Sequence, residues 1–140
     1  DARMTRFMIS LDQGVELVWH AFNDMVGGEI YVKKIPSMKI VDIAKTIAPD
    51  AQQKIIGIRP GEKLHEQMIS YEDAAHTYEY PDHYKILPAI NHWDLDLKRI
   101  SGGKLVATDF TYCSDNNVDW MSVEDLQNWI EKNKSKIGGF

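Results

Sequence analysis

K-I-I-G-I-R-P-G-E-K-L-H-E, residues 54–66, runs from β-branched apolar residues through a Pro-Gly pair into a charged segment. Residues 54–58 predict a short buried strand, because β-branched side chains such as Ile55, Ile56 and Ile58 pack well on a pleated surface. The strand should end at Arg59. Pro60 presets φ and Gly61 accepts a positive φ, as a type II turn requires, which makes Arg59 and Glu62 the two ends of one tight turn. The ends of a β-turn lie within about 7 Å, so both side chains can reach one ligand. A guanidinium fork suits phosphate and a carboxylate accepts hydrogen bonds from a ribose diol. The pair therefore reads either as a nucleotide clamp or as an ordinary surface ion pair beside a turn.

Outward from this turn, helical and strand periods alternate. Ser10 and Gln13 form a capping box, and Leu11, Val15, Val18, Phe22 and Met25 recur at helical spacing up to Gly27-Gly28. That predicts an amphipathic helix, with His20 on its polar side and Trp19 as a packing residue. Residues 29–33 alternate Ile30 and Val32 with polar partners, giving a strand with one buried face. Ser37 is placed to cap a second helix carrying Met38, Val41, Ala44, Ile47 and Ala48, which Pro49 must end. Helix, strand, helix, strand favours an α/β architecture.

On the C-terminal side, residues 63–69 fit a short helix as well as a strand. His65-Glu66 lacks the second histidine of H-E-x-x-H, since Ile69 stands there, and Lys63 reads as a solvated lysine. Residues 71–75 read as a turn, and residues 77–80 and 84–87 as a hairpin around Pro81-Asp82-His83. His76, His83 and His92 are spaced too irregularly for a metal set and are expected in turn and surface roles. A strand over 104–107 and a polar loop over 109–117 follow. Ser122 and Asp125 box the start of a last helix with Val123, Leu126, Trp129 and Ile130 on its apolar face. Lys132, Lys134 and Lys136 complement its dipole and need no ligand.

The chain has 140 residues with 44% hydrophobic content, enough for one small globular domain or part of a larger one. A net charge of -5 argues against nucleic acid or an anionic membrane as partner, so any phosphate site must be local. One cysteine, Cys113, permits no internal disulfide and fits a reducing cytoplasm. No apolar run reaches the roughly 18 to 20 residues that span a bilayer. The start at Asp1 suggests a piece of a longer polypeptide.

G-I-R-P-G-E-K-L-H-E at 57–66, K-I-P-S-M-K-I at 34–40 and D-A-R-M-T-R-F at 1–7, with Phe110-Thr111-Tyr112 and Trp120-Met121-Ser122-Val123-Glu124 near the end, carry a resemblance. Together they resemble the inverting UDP-N-acetylglucosamine 4,6-dehydratases of the pseudaminic acid pathway, extended short-chain dehydrogenase/reductase enzymes. The resemblance covers only the C-terminal part of such an enzyme. It implies a small mixed α/β domain of short strands and about three main helices, the substrate-binding part, whose N-terminal Rossmann domain is absent from this chain. It also implies a UDP-sugar ligand, NADP in the intact enzyme, a homo-oligomer and a cytoplasmic location. Arg6, which on its residues alone reads as solvent-exposed, is implied as a second diphosphate contact beside Arg59, with Glu62 orienting the ribose.

The residues that do the family's chemistry do not occur here. No G-x-x-G-x-x-G or G-x-G-x-x-G is present for a dinucleotide. None of the six tyrosines has a lysine four residues on, as the family's Y-x-x-x-K base requires. The chain alone is therefore expected to be inactive, with no catalytic, cofactor or metal residues. The runner-up expectations are part of a sister nucleotide-sugar dehydratase or epimerase, and a non-catalytic assembly domain on the same fold.

Overall fold

The computed structural model describes residues 1–89 and 98–137. In chain order these form β1 (Thr5–Phe7), α1 (Leu11–Asp24), β2 (Ile30–Lys33), β3 (Ser37–Lys39), α2 (Ile40–Ile47), β4 (Gln67–Ile69), a 3-10 turn (Ala74–His76), β5 (Thr77–Glu79), β6 (His83–Ile86), β7 (Lys104–Leu105), β8 (Tyr112–Cys113) and α3 (Val123–Ile137). The fold is mixed α/β, with three helices and small antiparallel sheets among the described residues. Two compact units share the sequence discontinuously: Asp1–Met8, Pro36–Glu66 and the chain from Ser114 onward make the first, Ile9–Ile35 and Gln67–Cys113 the second.

In the first unit β1 and β3 pair antiparallel with Arg6 opposite Met38. Met4, Met38 and Leu126 are buried there, and α2 packs against α3. Ser37 does not cap α2 as its position suggests. It lies inside β3, fully buried, and its hydroxyl accepts from Asn117 Nδ2 at 3.0 Å. The α2 N-cap is Lys39, with no side-chain cap bond, and the Ile40 N–H is satisfied instead by the Met4 carbonyl of the segment entering β1 at 3.0 Å. α2 stops at Ile47, before Pro49. At α3 the Ser122–Asp125 box forms in both directions, each backbone N–H donating to the other side chain at 3.0 Å.

The buried strand expected over 54–58 is not found. Residues 52–59 adopt neither helix nor strand, and Ile55 and Ile56 are 58% and 72% exposed. Gly57 takes φ 80°, which interrupts an extended backbone in the middle of the run. Without a neighbouring strand to bond its N–H and C=O groups, a β-branched run has no reason to extend.

In the second unit β2, β6, β5 and β7 form an antiparallel sheet in that order, and β4 pairs with β8. The β5–β6 hairpin forms as expected, closed by the Tyr80 N–H to the His83 carbonyl at 2.9 Å. β4 resolves the ambiguity of residues 63–69 in favour of a short strand at its end. Its partner β8 lies in the segment expected to be a loop, two residues long and held by contacts far away in sequence. Tyr112 in β8 is buried, accepts from the Ile35 N–H at 2.9 Å and donates to the Ile35 carbonyl at 3.0 Å. α1 carries its capping box, yet none of its residues is buried, and Leu11, Val15, Val18, Phe22 and Met25 stand exposed.

His83 is also corrected. It is buried in β6, stacked on Tyr80 at 4.6 Å and 3°, and paired with Asp82 at 2.9 Å. His20 is exposed on α1, as expected, and turns its ring edge-on to His83 at 4.6 Å. His92 lies outside the described residues.

Candidate functional site

Arg59 to Glu62 close the turn that the sequence predicts. The Glu62 N–H donates to the Arg59 carbonyl at 3.0 Å and Gly61 holds φ 81°, the positive value a type II turn needs at that position. Across the turn the Glu62 carboxylate takes the Arg59 N–H at 3.0 Å on one oxygen and Arg59 Nη2 at 3.2 Å on the other. The Arg59 side chain is 75% exposed. These two hydrogen bonds from Arg59, backbone first, hold the Glu62 carboxyl below its ordinary value, and the nearby charges of Arg59 and Arg6 add to the effect.

Arg6 sits on β1 and belongs to the same unit, but its donors face inward. Nη1 donates to the carbonyls of Thr5 at 2.6 Å and Leu64 at 3.2 Å, and Nη2 to that of Lys63 at 2.9 Å. Its Nε lies 3.3 Å from the Glu66 carboxylate. The guanidinium thus fastens residues 63–66 to β1, beside the Thr5 N–H to Leu64 carbonyl bond at 3.1 Å. Arg3, by contrast, pairs with Asp1 at the surface.

A second fastening escaped sequence reasoning. Thr5 Oγ1 bonds His65 Nδ1 at 2.8 Å and Ser114 Oγ at 2.6 Å. Ser114 is fully buried, its Oγ accepts from the Glu66 N–H at 2.9 Å, and its own N–H donates to the Glu66 carbonyl at 2.8 Å. This chain of imidazole and hydroxyls ends on the Glu66 backbone, so the segment following the turn is held on β1 and on Ser114. A threonine, a histidine and a serine 60 and 109 residues from the threonine leave no local pattern to find.

The second unit holds a different polar cluster. Arg99 and Glu29, each 1% exposed, pair at 2.7 Å, and the Glu29 carboxylate also accepts from the N–H groups of Gly27 at 2.7 Å and Val26 at 3.1 Å. Lys85, on the fully buried strand β6, meets the Asp24 carboxylate, donates to the Arg99 carbonyl at 2.9 Å and lies over the rings of Tyr31 and Tyr80. Burial and the neighbouring Asp24 push the Tyr31 hydroxyl well above its ordinary value. Every charge in this cluster has a partner within the fold, which marks it as framework. Among the described residues no group of three or more His, Cys, Asp and Glu side chains is placed to hold a metal. No helix among them is long and apolar enough to cross a membrane.

An α/β chain of three helices and small antiparallel sheets, presenting an Arg–Glu pair on a fastened turn, is consistent with part of an extended short-chain dehydrogenase. Residues 1–88 match the family model described as polysaccharide biosynthesis protein, and the chain belongs to that family. It is 50% identical, over 131 residues, to the inverting UDP-N-acetylglucosamine 4,6-dehydratase of Campylobacter jejuni, covering 90% of this chain and 39% of that protein. It is 37% identical to a UDP-glucose 4-epimerase of Rickettsia canadensis, covering 81% of this chain and 34% of that one. The X-ray structure of Pen from Bacillus thuringiensis superposes with a TM-score of 0.79 at 26% identity, over 96% of this chain and 40% of that one. The chain thus spans about two fifths of the length of the curated dehydratases it matches.

Proposed function

We propose that this chain is the nucleotide-sugar-binding part of an inverting UDP-N-acetylglucosamine 4,6-dehydratase serving bacterial surface-sugar biosynthesis of the pseudaminic acid type. The observation that carries this is the Arg59–Glu62 turn, an exposed guanidinium and a carboxylate held side by side, in a chain half identical to an enzyme of that name. Arg59 binds the diphosphate and Glu62 the ribose. Arg6 contributes positive potential from β1 and fixes the segment that follows the turn. Binding of the unreacting UDP handle positions the sugar for chemistry carried out elsewhere in the enzyme.

The intact protein, on this reading, is an NADP-dependent lyase of the cytoplasm, a homo-oligomer whose Rossmann domain precedes this segment. None of the three helices among the described residues opens from a glycine-rich turn, the feature that cradles a dinucleotide's pyrophosphate. The similarity to UDP-glucose 4-epimerases supports a sister nucleotide-sugar enzyme as the second reading. Product stereochemistry at C5 in the intact enzyme separates the two. A non-catalytic assembly role is not favoured.

The test is an NMR titration of the chain with UDP, CMP and ADP, alongside Arg59→Ala. UDP-selective shifts at Arg59 and Glu62 that vanish in the variant are expected. Equal response to all three nucleotides, or UDP shifts untouched by the substitution, would remove Arg59 from the site.

A further inference from the structure

Donor and acceptor counting fixes which way the protons run between Ser114, Thr5 and His65. The Ser114 hydroxyl accepts from the Glu66 N–H at 2.9 Å and is fully buried, so its own proton needs an acceptor inside the fold. Thr5 Oγ1, at 2.6 Å, takes that place. Thr5 is itself 3% exposed and has one proton to give, which passes to His65 Nδ1 at 2.8 Å. The opposite sense puts a proton on Nδ1, donates it to Thr5 and passes the Thr5 proton to Ser114. That leaves the Ser114 O–H buried with no acceptor among the described residues, a loss comparable to a broken hydrogen bond. The protons therefore run one way, from the Glu66 N–H through Ser114 and Thr5 to an unprotonated Nδ1. His65 keeps its ring proton on Nε2, the nitrogen that faces the Asp115 carboxylate at 3.7 Å.

His65 stands between two fastenings of the segment that leaves the turn. On one side Arg6 and the Thr5 N–H hold the carbonyls of Lys63 and Leu64. On the other, the Glu66 N–H and carbonyl are both held on Ser114. Without an acceptor at residue 65, Thr5 and Ser114 carry two protons and one mutual contact. One buried proton is then left over, and placing it means turning a hydroxyl away from its present partner. We propose that His65 is a positioning residue for the ligand-bearing turn at residues 59–62: by accepting the Thr5 proton it keeps the Ser114 oxygen turned to the Glu66 N–H, and so holds the segment after the turn in place on β1. This rests on the reading of that turn as the ligand site, and adds a residue that acts through Ser114 and the Glu66 backbone rather than by contact.

The test is NMR on the wild-type chain with isotope-labelled histidine, beside His65→Asn, His65→Leu and Thr5→Val, at about pH 8, above the ordinary histidine range. The wild type should show a Thr5 hydroxyl proton that exchanges slowly and couples to an unprotonated His65 Nδ1. A proton on Nδ1 overturns the inference. Asparagine sets an amide oxygen near the place of Nδ1 and accepts from Thr5, whereas leucine fills the space and accepts nothing. In titration with UDP, His65→Leu and Thr5→Val should bind about two- to tenfold more weakly, the range of one neutral hydrogen bond. Their Glu62 and Glu66 amide signals should be displaced, and His65→Asn should return both affinity and signals toward wild type. Packing alone predicts the reverse order, with leucine the better replacement, and that order overturns the inference. So does equal weakening in both His65 variants, or none in either. Thr5→Val keeps the shape of the side chain, so the result does not hang on the folding of one variant. A wild-type chain that takes up no UDP removes the nucleotide reading and the positioning role together, while the Thr5 hydroxyl signal still decides the direction of the protons.

Discussion

Arg59 and Arg99 carry the same guanidinium into opposite surroundings. Arg59 is 75% exposed and its pair with Glu62 is screened by water, so Arg59→Ala should change stability by less than about 1 kcal/mol in urea denaturation while removing nucleotide binding. Arg99 and Glu29 are both 1% exposed, and Glu29→Gln leaves a buried cation without its counter-charge. That loss should cost roughly 3–5 kcal/mol in the same measurement, and a cost under about 1 kcal/mol would show that the pair is not desolvated. Burial alone would push the Glu29 carboxyl up, but the N–H groups of Gly27 and Val26 and the Arg99 charge outweigh it and hold it down. A lowered carboxyl contributes stability that is present above its unfolded value of about 4.3 and disappears as pH falls through the folded value. Acid unfolding followed by circular dichroism should therefore be shallower in Glu29→Gln than in wild type across that window. Arg59 and Glu62 were legible in the sequence because a turn joins residues three apart. Arg99 and Glu29 were not, since nothing local marks a pairing across 70 residues.

Turns and caps repeat that contrast between local and distant determinants. The Ser122 cap of α3 was readable from four residues, and Ser122→Ala should cost about 1 kcal/mol by urea denaturation. A Cβ built on Gly61 meets nothing within 4 Å, so only its φ of 81° resists substitution. Gly61→Ala should lose about 1–2 kcal/mol if the turn is kept, and should weaken UDP binding more than it weakens the fold if the turn reopens. The expected strand over 54–58 failed because composition measures compatibility with a sheet, whereas forming one needs a neighbouring edge, and Gly57 bends the backbone first. Ser37 departs from the capping role for the complementary reason: its hydroxyl accepts from Asn117, a partner 80 residues away. Candidate site residues clustered on a turn were therefore easier to find than the Thr5–His65–Ser114 chain that fastens it.

α1 shows a limit of periodicity for the chain taken entire. Helical spacing identified Leu11, Val15, Val18, Phe22 and Met25 as one face, but not what covers it, and here that face is open to solvent along with Trp19 and Val26. Exposed apolar patches on ordinary monomers rarely exceed about 300–600 Å², and a continuous stripe along 14 helical residues strains that limit. Sedimentation should show the wild-type chain associating as concentration rises, and Trp19→Glu combined with Phe22→Glu should return it toward monomer at little cost in stability. A wild-type chain that stays monomeric throughout would mean the stripe is harmless as it stands. The distant pairings of the first unit also set an order of events on the ribosome. Ser114 is added 109 residues after Thr5, a delay on the order of 5–20 s at ordinary translation speeds. During that interval Thr5 has no Ser114 hydroxyl to pair with and α2 has no α3 to pack against. The segment bearing Arg59 therefore takes its final support only after residue 114 has been added.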